Sequence, residues 1–144
     1  MSNKPNNTPN KPNQPPATSA TPAEQSQQQT LQQRRAKAAW TAIKGVSQNA
    51  QKEYASLVRG FAAMIQTDGL APALAFIKAK GKEHHEALNQ HLSNWVLAEM
   101  KIAGEKDLLQ WLLGQSSARY RQAATETIAY LVWLKRFVEA EGWT

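Results

Sequence analysis

Three histidines at positions 84, 85 and 91 have Glu83 and Glu86 beside them, the side chains that bind metal ions or shuttle protons. His84 and His91 are seven residues apart, so a helix would carry them on one face. A catalytic metal site asks for about three protein ligands, in helices most often built on a His-Glu-x-x-His pair at i and i+4. That spacing is absent, and the three histidines read as solvated residues at the start of a helix, with no metal and no cofactor. No Gly-x-Ser-x-Gly elbow, no Gly-x-Gly-x-x-Gly, no Walker loop and no facing pair of carboxylates occurs, so the residue patterns point away from an enzyme.

The cations are the more informative class. Between Glu24 and Glu53 there is no carboxylate, so Arg34, Arg35, Lys37, Lys44 and Lys52 form a block of one sign. On a helix, Arg34, Lys37 and Lys44 fall within about 80° of one another at about 100° per residue. Lys78, Lys80 and Lys82 cluster where a helix should end, a place the helix dipole favours for cations whatever the function. Arg119, Arg121, Lys135 and Arg136 decorate the last helical segment, and Arg121 and Lys135 lie about 40° apart, close enough to line one groove. Candidate phosphate contacts are therefore Arg34, Lys37, Lys44, Lys78, Lys82, Arg121, Lys135 and Arg136. No base-reading motif accompanies them, which makes the expected binding indifferent to sequence.

The elements that must position these residues follow from the apolar pattern. Six of the seven prolines precede residue 23, and residues 1–30 are Asn, Pro, Thr, Ser and Gln with charge only at Lys4, Lys11 and Glu24. Such a segment has too little apolar surface to offset its ordering entropy, so a disordered tail is expected over 1–30 and a helical bundle domain over 31–144. The Gln-rich stretch from Gln25 can join the first helix. In the body apolar residues recur at spacings of three and four and glycines stand singly between the runs, the signature of an all-α fold of five to six helices.

The expected helices span about 30–46, 49–66, 71–80, 83–102 and 105–113, with a long last one from Ser116 or Ser117 to about Glu141. Ser47, Gln48 and Asn49 are placed to cap the second, and Pro72 suits the first turn of the third. The last helix carries one apolar stripe of Tyr120, Ala124, Leu131, Leu134 and Val138 and another of Tyr130, Trp133 and Phe137, so it should be central and the most buried. Trp95, Trp111 and Trp133 read as core filling, while Trp143 could serve the core or a partner.

The whole chain has 144 residues, 17 Lys and Arg against 11 Asp and Glu, and no cysteine. One domain is expected, without a disulfide framework or a thiolate site. No leader-like apolar run follows Lys4 and no uncharged stretch of about 18 residues could span a bilayer, which points to a cytoplasmic protein without a membrane partner. The positive balance makes an anionic partner the first to test.

Three stretches carry a family resemblance. Arg35-Ala36-Lys37-Ala38-Ala39-Trp40 opens the body; Ile65-Gln66-Thr67-Asp68-Gly69-Leu70 runs on to Ala73-Leu74-Ala75-Phe76; Tyr120-Arg121, Thr125-Glu126 and Leu131-Val132-Trp133-Leu134-Lys135-Arg136-Phe137 close it. In order and spacing they resemble the small-subunit family of type III-B CRISPR effector complexes, the fifth subunit of the Cmr module, over essentially the whole body. Family members usually begin close to the first helix, so the tail is a departure.

The resemblance implies a non-enzymatic subunit that stacks in a short filament beside the backbone subunits carrying the guide RNA. Its basic face would hold the target single-stranded RNA along the guide. Cleavage would belong to the backbone RAMP subunits, and a large polymerase-like subunit would respond to the target; these, the two RNAs and further copies of the chain are the implied partners. Arg35 and Arg121 lie inside the resembling motifs and have an alternative role, tying helices together through Glu126 or Glu139. The rival to RNA binding is a helical protein–protein adaptor whose cations are solvated or paired.

Overall fold

A computed structural model describes the backbone of residues 22–143 and the side chains of residues 30–143. The chain divides into two units, residues 1–32 and 33–144. Of the first, residues 22–32 are described and are helical, so of the tail expected to be disordered over 1–30 the part from Pro22 is helix and the part over 1–21 lies outside the described residues. The first helix, α1, spans Pro22–Lys44 and so takes in the Gln-rich stretch, with Pro22 at the position where a missing N–H costs nothing.

The second unit is all-α. After α1 come a 3-10 turn at Gln48–Ala50, α2 (Gln51–Asp68), α3 (Leu70–Lys80), α4 (Glu83–Glu99), the short α5 (Leu108–Leu112) and α6 (Ser117–Ala140), with no strand among the described residues. α2 packs against α3, α4 and α6, and α4 also meets α3, α5 and α6. The core between them is continuous: Phe61 and Tyr54 of α2, Leu70, Leu74 and Ile77 of α3, Leu88 and Leu92 of α4, and Leu131 and Leu134 of α6 are all buried. α6 is long and lies on this core, but α2 shares the central place, and Val132 on α6 is exposed.

Two boundaries show how the ends are set. Gly69 ends α2 and begins α3 at φ +96°, a left-handed value that a side chain would strain. Gly69 has no side-chain oxygen to cap α3, and the free N–H of Ala71 donates instead to the Tyr120 hydroxyl of α6 at 2.8 Å. The corner between two helices is thus capped by a third, which explains a tyrosine in the first turns of α6 where the pattern predicts a core stripe.

The other boundary departs from expectation. α4 stops at Glu99 rather than near Ile102, because Lys101 takes the left-handed conformation at φ +60° usually left to glycine. The Ile102 N–H then reaches back to the Leu97 carbonyl at 2.9 Å, and residues 101–107 form a loop instead of the start of a fifth helix. Asp107 caps α5 by accepting the Gln110 N–H at 3.0 Å, and Ser116 caps α6 by accepting that of Arg119 at 3.2 Å. Ser47 does not cap the turn or α2 as expected: its hydroxyl donates to the Glu83 carboxylate at the start of α4.

Candidate nucleic-acid interface

The sequence shows a run of cations without carboxylates, but the fold brings carboxylates to it from far along the chain. Arg35 makes a two-pronged pair with Glu126 of α6, Nε to Oε2 at 2.7 Å and Nη2 to Oε1 at 2.8 Å. Trp95 of α4 donates its indole N–H to the same Oε2 at 2.8 Å. Burial works against the Glu126 charge, but these two donors outweigh it and hold the carboxyl below its ordinary value, while the Arg35 guanidinium is pushed up by the hydrogen bond to Glu126. Arg35 is therefore a clamp between α1, α4 and α6, the alternative role its motif left open.

The eight candidate phosphate contacts separate into two groups. Arg34 pairs with Glu99 at 2.5 Å, Lys44 with Glu141 at 3.6 Å, Lys78 with Asp107 at 2.8 Å and Arg136 with Glu139 at 3.7 Å. All four cations remain exposed, so the pairs are solvent-screened. Lys44 also stands 4.1 Å over the Trp40 ring, whose edge packs on Phe137 at 5.1 Å. The other four, Lys37, Lys82, Arg121 and Lys135, are exposed and join no ion pair among the described residues. They sit on different elements: Lys37 in α1, Lys82 before α4, Arg121 and Lys135 on α6.

The histidines are not the solvated set expected of them. His85 is buried beside Phe76, with ring centroids 6.3 Å apart, and its pKa is lowered by burial and by the neighbouring His84, Lys80 and Lys82. His91 is half-buried, and burial lowers its pKa to about 4, so the ring is neutral at pH 7. Its Nδ1 lies 2.7 Å from the Tyr54 hydroxyl. Burial raises the pKa of that phenol, so a neutral imidazole and a protonated hydroxyl share this hydrogen bond, its direction set by the imidazole tautomer. The start of α4 packs on α2 and α3, and this buries His85 while His84 beside it stays half-exposed. No group of three potential metal-ligating residues occurs among the described residues.

An open groove runs between α1 and α4. Arg34, Lys37, Ala38, Thr41 and Ala42 line it from α1, at helical spacings of three and four. His91, Asn94 and Trp95 face them from α4, Tyr130 of α6 completes the lining, and the volume is about 520 Å³. Trp95 and Tyr130 stack with ring centroids 5.3 Å apart and planes 16° apart. Trp95 is thus only half-buried and lines a surface, in contrast to its expected role as core filling; Trp111 is buried as expected. Two neighbouring alanines on α1 leave the space, a consequence of size that becomes visible only when the opposite wall is known.

No helix among the described residues is long and apolar enough to cross a membrane. Among solved structures, a CRISPR-associated Cmr5 family protein from Thermus thermophilus superimposes with a TM-score of 0.63 at 26% identity, covering 76% of this chain and 94% of that one. The curated CRISPR system Cmr subunit Cmr5 of the same organism is 30% identical over 91 residues, which are 61% of this chain and 74% of that protein. The family model described as CRISPR-associated protein (Cas_Cmr5) matches residues 31–141, from the turn of α1 before the Arg35 clamp to the end of α6. With that match spanning the bundle, the chain belongs to the Cas_Cmr5 family of CRISPR-associated proteins.

Proposed function

We propose that this chain is a non-catalytic small subunit of a type III-B CRISPR RNA-guided effector complex. In this reading it stacks with further copies of itself in a short filament and holds target single-stranded RNA along the guide through basic helix faces. Its neighbours are the backbone RAMP subunits, which carry the guide RNA, and the large polymerase-like subunit. Family membership supports the place in the complex. The observation that carries the RNA contact is the set of exposed cations without carboxylate partners among the described residues, Lys37, Lys82, Arg121 and Lys135, whose charge is available to phosphates. Arg34, Lys44, Lys78 and Arg136 would contribute by exchanging an exposed carboxylate for a phosphate, a trade that screened surface pairs allow at small cost.

The same four ion pairs favour a second reading, a helical adaptor that touches only protein. The test is anisotropy of a labelled single-stranded RNA of arbitrary sequence, titrated with the full chain at two salt concentrations. The expected result is binding that weakens steeply with salt and falls at least about tenfold when Lys37, Lys82, Arg121 and Lys135 are all changed to Glu, because each phosphate contact adds to the salt slope. These four positions are preferred to Arg34 and Lys44 because their reversal breaks no ion pair. Absence of binding at low salt by a folded chain would leave the adaptor.

A further inference from the structure

The groove between α1 and α4 has an unusual combination of properties for a surface cleft. Its floor is aromatic and apolar, from Trp95, Tyr130, Ala38 and Ala42, while its rim on α1 carries Arg34 and Lys37, and no carboxylate lines it. Its volume of about 520 Å³ falls within the roughly 300–1,000 Å³ typical of sites for small organic groups. Asn94 and Thr41 supply hydrogen-bonding groups at the wall. The neutral His91 ring contributes a further hydrogen-bonding nitrogen at Nε2, because Tyr54 occupies its Nδ1.

We infer that this groove is a pocket for one unstacked nucleobase of a bound single-stranded RNA, the base lying against Trp95 and its flanking phosphate between Arg34 and Lys37. The inference rests on the RNA-holding reading above and deepens it, by adding base contact to phosphate contact. Charge complementarity chooses the occupant. An apolar peptide side chain would suit the floor but would leave Lys37 on the rim without an anion, Arg34 being held by Glu99, and a bare phosphate would suit the rim but would not fill the floor. A nucleotide has both parts, an aromatic ring and an adjacent anion.

The floor is also built to stay in place. Trp95 is stacked on Tyr130 on one side, and its indole N–H is tied to Glu126, which Arg35 holds in turn. An aromatic platform fixed in this way loses little side-chain freedom when a base stacks on it, and stacking tolerates any base because each has a π-face. The polar groups at the wall are too few to read one base against another, so the pocket should accept all four bases with modest preferences.

The experiment compares two probes on the full chain: a uridine oligoribonucleotide and a ribose-phosphate oligomer of equal length that lacks bases. Both carry the same charge, so phosphate contacts alone predict equal affinity. The expected result is that the base-bearing oligomer binds at least about fivefold more tightly, consistent with the free energy of stacking one base on an aromatic side chain. The Ala38→Leu variant, which adds bulk to the groove floor while keeping a good helix former, should erase the difference, so that the two oligomers bind it alike. Equal binding of both oligomers by the wild-type chain would overturn the pocket and leave the phosphate reading standing. Binding of neither would remove both. A base preference that survives Ala38→Leu would also overturn the pocket, by placing the stacking elsewhere, and so would a change in self-association with no change in base preference, by assigning the groove to a protein side chain.

Discussion

The bundle holds its helices together in two different ways. Between α2, α3, α4 and α6 the seam is dry, with Tyr54, Phe61, Leu74, Leu92 and Leu134 removed from solvent and no charged side chain among them. Where residues 33–44 of α1 meet α4 and α6, Ala39 and Ile43 are buried, but the contact also depends on the Arg35–Glu126–Trp95 cluster, and part of it is an open groove. The first seam gains from apolar burial and is insensitive to direction, whereas the second adds charged contacts that are specific in geometry. A helix fixed by a few directional contacts can leave its remaining face available, which a helix fixed by burial cannot. The candidate binding groove lies at the directional seam.

Three measurements separate the two seams. The largest effect is expected from Phe61→Ala, which removes a fully buried ring: unfolding by urea should show a loss of about 3–5 kcal/mol with the whole bundle melting together. A smaller global loss confined to α1 would mean that the core seam is not the source of cooperativity. Next, Glu126→Ala should cost about 2–4 kcal/mol, at or below the value for a fully buried pair, because Arg35 and the Trp95 indole lose their common acceptor. Hydrogen exchange should accelerate in residues 33–44 well before the amides of α2 respond. The double variant Arg35→Met, Glu126→Leu should recover much of that loss, since it leaves no uncompensated charge.

The smallest of the three concerns His91, which joins the seams by hydrogen bonding to core Tyr54 while lining the groove. Its folded pKa of about 4 lies below the ordinary histidine value of 6.5, so between these values the unfolded chain binds a proton that the folded chain refuses. The contribution is therefore complete above pH 6.5 and is lost as the pH falls towards 4. Across that window stability should drop by about 2–3 kcal/mol, and the His91→Gln variant should flatten this limb of the profile. The lowered pKa values of Glu126 and Asp107 have the same sign at more acidic pH: burial opposes ionisation in both, the Arg35 and Lys78 contacts prevail, and the stability they add is lost as the carboxylates become protonated.

Much of the architecture could be read without coordinates. The all-α class and the endings at Gly69, Gly81 and Gly142 follow from apolar spacing and from glycine's access to positive φ, both local properties. Local reading misplaced the end of α4, since a lysine at φ +60° carries no signal in its type. It also assigned Ser47 to a cap, because a serine before a helix is the usual capping residue and the competing Glu83 lies 36 positions away.

The candidate interface was less legible, for a related reason. The sequence by itself determined which cations exist, their helical faces and the absence of carboxylates near them, because side-chain type and helical phase are properties of short segments. Only the tertiary structure decided which cations are partnered and which are free, since Glu99, Glu126 and Glu141 reach the first helix across 65, 91 and 97 positions of chain respectively. It also decided that Ala38 and Ala42 border empty space rather than a packed wall, and that Trp95 is half-buried and lines that groove. Partnership, burial and cavity volume depend on what faces a residue from another helix, and no segment of one helix contains that information.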